Sequence, residues 1–211
     1  VRFNKVRLSL AVLLCLCATS MVDAKVKLPA LISDGMVLQR EQPIKVWGTA
    51  DAGESVQVKF LKNATPTGVK GGKLKVAYTV TADANGRWTL TLPAMKPGGP
   101  YILQVNDIEL KDILVGDVWL CSGQSNMEMP LRGFWHCPIE GGNHAIATSG
   151  KYKKSIRYAT IQRVGALEPK DYPVGGEWKV CDPQNAPEFG ATAYFFATLL
   201  TEVLNVPVGI I

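Results

Sequence analysis

Histidine is nearly absent from this sequence: His136 and His144 are the only two in 211 residues. Mechanisms that need several imidazoles are excluded, and His136, Cys137 and His144 do not make a zinc spacing. No metal and no other cofactor is expected. Charge of one sign is also lacking. The net charge of +5 is small and scattered, which argues against nucleic acid as a partner. No low-complexity period occurs, and 47% hydrophobic against 19% charged residues supplies enough apolar material for a core. No apolar run reaches the ~20 residues of a spanning helix. The phosphate-loop pattern G-x-x-x-x-G-K-[ST], the dinucleotide pattern G-x-G-x-x-G and the zinc-hydrolase pattern H-E-x-x-H are all missing.

The apolar run that does occur lies at the start. Arg2, Lys5 and Arg7 precede Leu8 to Ala18, and Met21-Val22-Asp23-Ala24 follows polar Thr19 and Ser20. A basic segment, a short apolar segment and small residues at Val22 and Ala24 are the marks of an export signal cut after Ala24. The expected location is periplasmic or extracellular, with no membrane contact after cleavage. An uncleaved anchor is the weaker alternative, and Leu14 and Leu16 before Cys15 and Cys17 do not suit a lipobox. Losing residues 1–24 removes three basic residues and one acid, which lowers the net charge to +3. Cys121, Cys137 and Cys181 remain. Export permits disulfides, so Cys137 and Cys181, both in loop-like sequence, are a candidate pair. Three free thiols are an equal alternative.

Residues 25–112 read as short strands broken by turns. Ser55 to Phe60 alternates with Val56, Val58 and Phe60 on one face, and Arg87 to Leu92 alternates with Trp88, Leu90 and Leu92 on one face. Ala84-Asn85-Gly86 and Lys96-Pro97-Gly98-Gly99-Pro100 are turn signals. This spacing predicts an N-terminal antiparallel β-sandwich. The pattern changes near residue 113. Ile113 to Cys121 is a nearly continuous apolar strand, residues 133–155 are Gly-rich and irregular, and Ile156 to Ile161 is another strand. Thr192 is the expected N-cap of a helix through Leu204 that Asn205 ends, and Val206 to Ile211 begins a further strand. Strand, helix, strand implies a parallel α/β sheet over 113–211. The sequence stops within that strand, so this domain is expected to be incomplete.

One segment carries chemistry. Gly123-Gln124-Ser125-Asn126-Met127 follows a buried strand and precedes a short helix that Pro130 limits. A serine at the C-terminal edge of a parallel strand stands where ligands bind, and backbone N–H groups at the helix start can stabilise an oxyanion. A plain serine cap in a strand–helix connection is the alternative reading. The elbow pattern G-x-S-x-G fails, because Met127 stands where the second glycine belongs.

Asp34-Gly35-Met36-Val37-Leu38-Gln39-Arg40, Val46-Trp47-Gly48, Asn85-Gly86-Arg87-Trp88, Gly98-Gly99-Pro100-Tyr101 and Asp112 through Met127 stand in order, followed by Trp178, Ala193-Tyr194-Phe195-Phe196 and Asn205-Val206-Pro207-Val208-Gly209. Together they resemble a bacterial sialate O-acetylesterase of the SGNH-hydrolase superfamily. The resemblance implies a β-sandwich followed by a flavodoxin-like α/β/α esterase domain. It implies removal of O-acetyl groups from sialic acids, with Ser125 as nucleophile and its own N–H as an oxyanion donor. Gly123, Gln124 and Asn126 are the expected oxyanion and substrate-positioning residues. The D-x-x-H pair of such enzymes has no counterpart: Gly133 and Gly141 stand three residues before His136 and His144. Phe189-Gly190-Ala191 also replaces the usual Phe-Ser-Ala. The expectation is therefore the N-terminal fragment of a serine carbohydrate esterase, inactive alone. An acetylxylan-type esterase acting on plant polysaccharide, or a non-catalytic carbohydrate-binding module, are the alternatives.

Overall fold

The computed structural model describes residues 26–62, 73–170 and 172–211. The expected export signal lies outside them. The strands are β1 (Val37–Gln39), β2 (Ile44–Thr49), β3 (Ser55–Lys62), β4 (Lys73–Thr81), β5 (Arg87–Leu92), β6 (Gly98–Val105), β7 (Ile108–Trp119), β8 (Ile156–Ile161), β9 (Gly175–Val180) and β10 (Val208–Ile210). The α-helices are α1 (Ser125–Glu128), α2 (Gly142–Thr148) and α3 (Ala191–Leu204). One mixed sheet runs β4-β3-β6-β7-β10-β8-β9 with β1 also paired to β7, and β2 and β5 form a separate two-stranded sheet.

Side-chain alternation builds the first core. Val56, Val58 and Phe60 of β3 point inward and meet Ile44 and Val46 of β2 and Trp88 and Leu92 of β5, all buried. The two sheets thus share one apolar interior. The Asn85-Gly86 turn behaves as its sequence predicts. The Asp83 carboxylate accepts the N–H groups of Asn85 and Arg87 at 2.8 and 2.9 Å. Gly86 sits at φ +73°, where a Cβ would lie 2.4 Å from the Ala50 carbonyl oxygen.

β7 joins the β-rich part to the α/β part, and the expected boundary at residues 112 and 113 falls inside it. Its first half pairs antiparallel with β6, Leu114 to Gly116 pair parallel with β1, and Asp117 to Trp119 pair parallel with β10. The Asp34–Arg40 motif fastens this crossing point. Asp34 accepts the Lys111 N–H at 2.7 Å, Gln39 Oε1 accepts the Val118 N–H at 2.9 Å, and Arg40 Nε donates to Asp117 at 2.8 Å. Arg157 of β8 is 2% exposed and reaches back to Asp112 at 2.6 Å and to the Lys153 carbonyl at 2.7 Å. Gly116 and Gly209 make the close approach possible: a Cβ on Gly116 would fall 2.0 Å from the Pro207 oxygen, and one on Gly209 would fall 2.7 Å from the Val37 Cβ.

Several expectations are corrected. Residues 142–152 are helical, as α2 followed by a 3-10 turn at Ser149–Tyr152, with Ala145 and Tyr152 buried in the second core. α3 starts at Ala191 with Gly190 at the cap, so Thr192 lies inside the helix and its hydroxyl binds the Asn126 carbonyl instead. Asn205 does end the helix, in the left-handed conformation at φ 52°. β6 begins at Gly98, within the expected turn, and β9 was not foreseen because two glycines at positive φ open it. The strand before the Ser125 segment begins at Ile108 and ends at Trp119, short of Cys121. The parallel strands run β7-β10-β8. β9 occupies the outer edge of β8, so β10, returning after α3, fills the gap between β8 and β7. Cys121, Cys137 and Cys181 are all free. Cys181 is fully buried in the second core and Cys137 is exposed on a turn, so the candidate pair does not form.

Candidate active site

The chain leaves β7 at Trp119 and keeps its parallel register for two further bonds. Ile211 N–H donates to the Trp119 carbonyl at 2.9 Å, and Cys121 N–H donates to the Ile211 carbonyl at 2.6 Å. Ser122, Gly123 and Gln124 then turn outward into α1, a helix of four residues. Pro130 accounts for its brevity, since proline has no N–H to extend it. Ser125 opens this turn and is exposed. Among the described residues its hydroxyl has no hydrogen-bond partner. Among the described residues the N–H groups of Ser125 and Asn126 donate to no carbonyl, as expected for the first turn of a helix. One turn carries little macrodipole, so any anion stabilisation here comes from these individual donors. Gln124 and Asn126 are exposed beside them. Gly123 does not adopt a positive φ. Its lack of a side chain leaves room for Met127, whose Cγ would be 2.8 Å from a Cβ there.

So short a helix is held by its neighbours. Thr192 of α3 donates to the Asn126 carbonyl at 3.0 Å, and Ala191 N–H donates to the Met129 carbonyl at 2.7 Å. Arg163, just beyond β8, grips both Glu128 oxygens at 2.5 and 3.1 Å. Gly190 passes close enough that a Cβ would fall 2.8 Å from the Met127 oxygen and 3.0 Å from the Tyr158 hydroxyl. That approach explains the glycine in Phe189-Gly190-Ala191. The Gly190 N–H donates to Tyr158 Oη at 3.1 Å, and the Tyr158 ring stacks on Phe189 with centroids 4.5 Å apart. Burial pushes the Tyr158 hydroxyl above its ordinary value, and the Gly190 bond pulls it the other way.

A pocket of about 670 Å³ opens beside this turn, along the C-terminal edge of β7, β8 and β10. Cys121, Gly123, Met127, Tyr158, Arg163 and Glu188 contribute to its walls. Burial raises the Cys121 thiol above its ordinary value, so it stays a neutral part of the wall. The two histidines do not approach Ser125 by any hydrogen bond among the described residues. His136 packs edge-on to Trp135, and the carbonyl of His144, on α2, accepts the Thr148 hydroxyl at 2.8 Å. His144 is therefore a helix residue and not part of the expected loop. Among the described residues no cluster of three or more His, Cys, Asp or Glu could hold a metal ion.

No family model matches the chain. Curated relatives do. Over 196 residues it is 28% identical to human sialate O-acetylesterase, covering 85% of this chain and 35% of that protein. Over 198 residues it is 26% identical to the mouse sialate O-acetylesterase, covering 85% and 34%. A solved carbohydrate acetylesterase from Xanthomonas citri superposes with a TM-score of 0.75 at 38% identity, covering 88% of this chain and 39% of that one. The chain is similar to carbohydrate esterases. It spans about a third of the length of the curated relatives it matches.

Gly123 and Gln124 lie between β7 and α1, whereas Ser125 and Asn126, expected before the helix, form its first two residues. Sequence reasoning missed the groups that position them. Arg163 and Thr192 come from the segment after β8 and from α3, tens of residues away in the chain. The single local signal was Pro130, which marks a turn too short to stand alone.

Proposed function

We propose that this chain carries the nucleophile of a serine carbohydrate esterase that removes acetyl groups from acetylated sugars. The observation that carries the reading is Ser125: an unpartnered, exposed hydroxyl at the mouth of a parallel sheet, beside two unpaired N–H groups and a pocket. Ser125 Oγ would attack the acetyl carbonyl. The Ser125 N–H, with that of Asn126, would receive the oxyanion, and the sugar oxygen would leave. Water would then release acetate from the acetyl-serine. Gly123 and Gln124 would shape the approach to the carbonyl. The finer substrate is O-acetylated sialic acid, supported by the names of the curated relatives. The broader sugar class is supported by the carbohydrate acetylesterase fold. On this reading the β-rich part is a sandwich domain, the α/β part is of SGNH type, and residues 1–24 direct export.

Ser125 needs a base, and among the described residues neither His136 nor His144 is hydrogen-bonded to it. We assign the base and its orienting carboxylate to polypeptide outside these 211 residues, because no D-x-x-H pair occurs within them. Two measurements test this. In the full encoded polypeptide, Ser125→Ala should lower acetate release from O-acetylated sialic acid at least about a thousandfold, the scale of losing a triad member. Activity retained in that variant would sink the assignment of Ser125. The 211-residue chain alone should hydrolyse 4-nitrophenyl acetate no faster than background. Robust hydrolysis abolished by Ser125→Ala would instead make one of the two histidines the base.

A further inference from the structure

Large apolar side chains are exposed in the α/β part, and Trp135 stands apart from the others by its setting. It is 86% exposed and sits at the tip of a tight turn rather than on a helix or sheet face. The turn is closed by two reciprocal backbone bonds, Phe134 N–H to the Cys137 carbonyl at 3.1 Å and Cys137 N–H to the Phe134 carbonyl at 3.0 Å. Gly133 at φ +76° is required at its base, since a Cβ would fall 2.4 Å from the Cys137 oxygen. His136 occupies the left-handed region at φ 63°, which costs a residue with a side chain of order 1 kcal/mol. Its ring packs edge-on to the Trp135 indole at 5.2 Å between centroids. A locally strained backbone thus holds an indole out in solvent, where the hydrophobic effect alone would fold it inward.

The turn is fastened to the wall of the pocket. Leu131 N–H donates to the Phe189 carbonyl at 2.7 Å, and Arg132 N–H donates to the Pro187 carbonyl at 3.1 Å. Arg132 Nε donates to Glu188 Oε1 at 2.7 Å, and its Nη1 donates to the Gly133 carbonyl at 3.1 Å. Glu188 itself lines the pocket, together with Met127 and Glu128 of α1. Trp135 follows Arg132 by three residues, at most about 11 Å of extended chain, so the turn that carries it is tied to the segment that lines the pocket. An indole face carries the negative end of its quadrupole. It suits the weakly positive C–H bonds on the flat side of a pyranose ring.

We propose that Trp135 is a substrate-binding platform that stacks on a sugar ring of the glycan bearing the acetyl group, with His136 and Gly133 fixing its pose. The proposal rests on the carbohydrate-esterase reading above. Its test is binding to the full encoded polypeptide carrying Ser125→Ala, which prevents turnover. Calorimetry with an O-acetylated sialyl-oligosaccharide should show affinity about tenfold weaker when Trp135→Ala is added. Trp135→Phe should restore most of the loss, because a ring face remains. Affinity within twofold of the parent in the Trp135→Ala protein would overturn the platform, while leaving the assignment of Ser125 intact. Loss of the esterase reading registers separately, as acetate release that survives Ser125→Ala. In the otherwise unaltered enzyme, Trp135→Ala should raise KM for the oligosaccharide and leave kcat/KM for 4-nitrophenyl acetate unchanged. A loss shared equally by both substrates would mean the residue is merely structural.

Discussion

The two parts of the molecule handle apolar surface differently. In the β-rich part, Val46, Val56, Val58, Phe60, Leu103, Val105 and Ile113 are fully buried, and among the described residues Tyr78 is its one exposed large apolar side chain. Every other exposed one lies at Trp119 or beyond, including Leu120, Phe195, Phe196, Leu199 and Val203. Residues of both sheets contribute to one buried cluster there. α3 has a partner on one side only. Ala191, Ala193, Tyr194, Ala197 and Thr198 pack on the second core, while Phe196, Leu199 and Val203 face outward, with Trp119 edge-on to Phe196 at 5.1 Å. A self-sufficient core sits beside one that leaves apolar helix surface uncovered, and the candidate nucleophile belongs to the second.

The comparison breaks hardest at the crossing strand. Gly116→Val would force a side chain onto the Pro207 carbonyl and should cost about 3 kcal/mol or more, as severe overpacking does. Urea unfolding followed by tryptophan fluorescence and far-UV dichroism should shift as one transition. Loss confined to the α/β signals would mean that β7 does not couple the parts. A smaller effect is expected from Cys181. Burial raises its thiol to about 12, with the Asp182 charge adding to the shift. The folded state therefore favours the protonated thiol. Its contribution is intact below the unfolded thiol value of ~8.5 and is lost as pH rises from there toward about 12. Stability of the parent should fall through that alkaline window more steeply than that of Cys181→Ala. Equal slopes would remove Cys181 as a cause. The smallest change in stability should follow Leu199→Glu, within about 0.5 kcal/mol because the position is exposed. The same variant should reduce self-association in sedimentation. An unaltered tendency to associate would mean that the outward face of α3 is not adhesive.

Much of the fold was legible locally. Period-two alternation located β3 and β5 with the correct inward faces, and Asn85-Gly86 gave its turn. Asn205 ended α3 because it tolerates the left-handed conformation. What escaped was decided elsewhere in the chain. α2 reads as irregular because glycines stand at its ends, Gly141 and Gly142 at the start and Gly150 after it, yet Ala145 and Ile146 pack with the second core. Thr192 has the chemistry of a cap, but its hydroxyl is drawn to the Asn126 carbonyl. Cys137 and Cys181 were compatible in sequence and end in different environments, one on the surface and one in the core.

The sequence by itself determined the identity and setting of the candidate nucleophile. An apolar strand, a glycine and a helix limited by Pro130 set Ser125 just beyond the end of β7 through local backbone preferences. Only the tertiary structure decided how that serine is held. A four-residue helix has too few internal hydrogen bonds to persist alone. Its position is fixed by Arg163, Gly190 and Thr192, which meet it only after β8 and α3 have packed. The same closure sets the Trp135 turn against the pocket wall, because Arg132 finds Glu188 only across that packed interface.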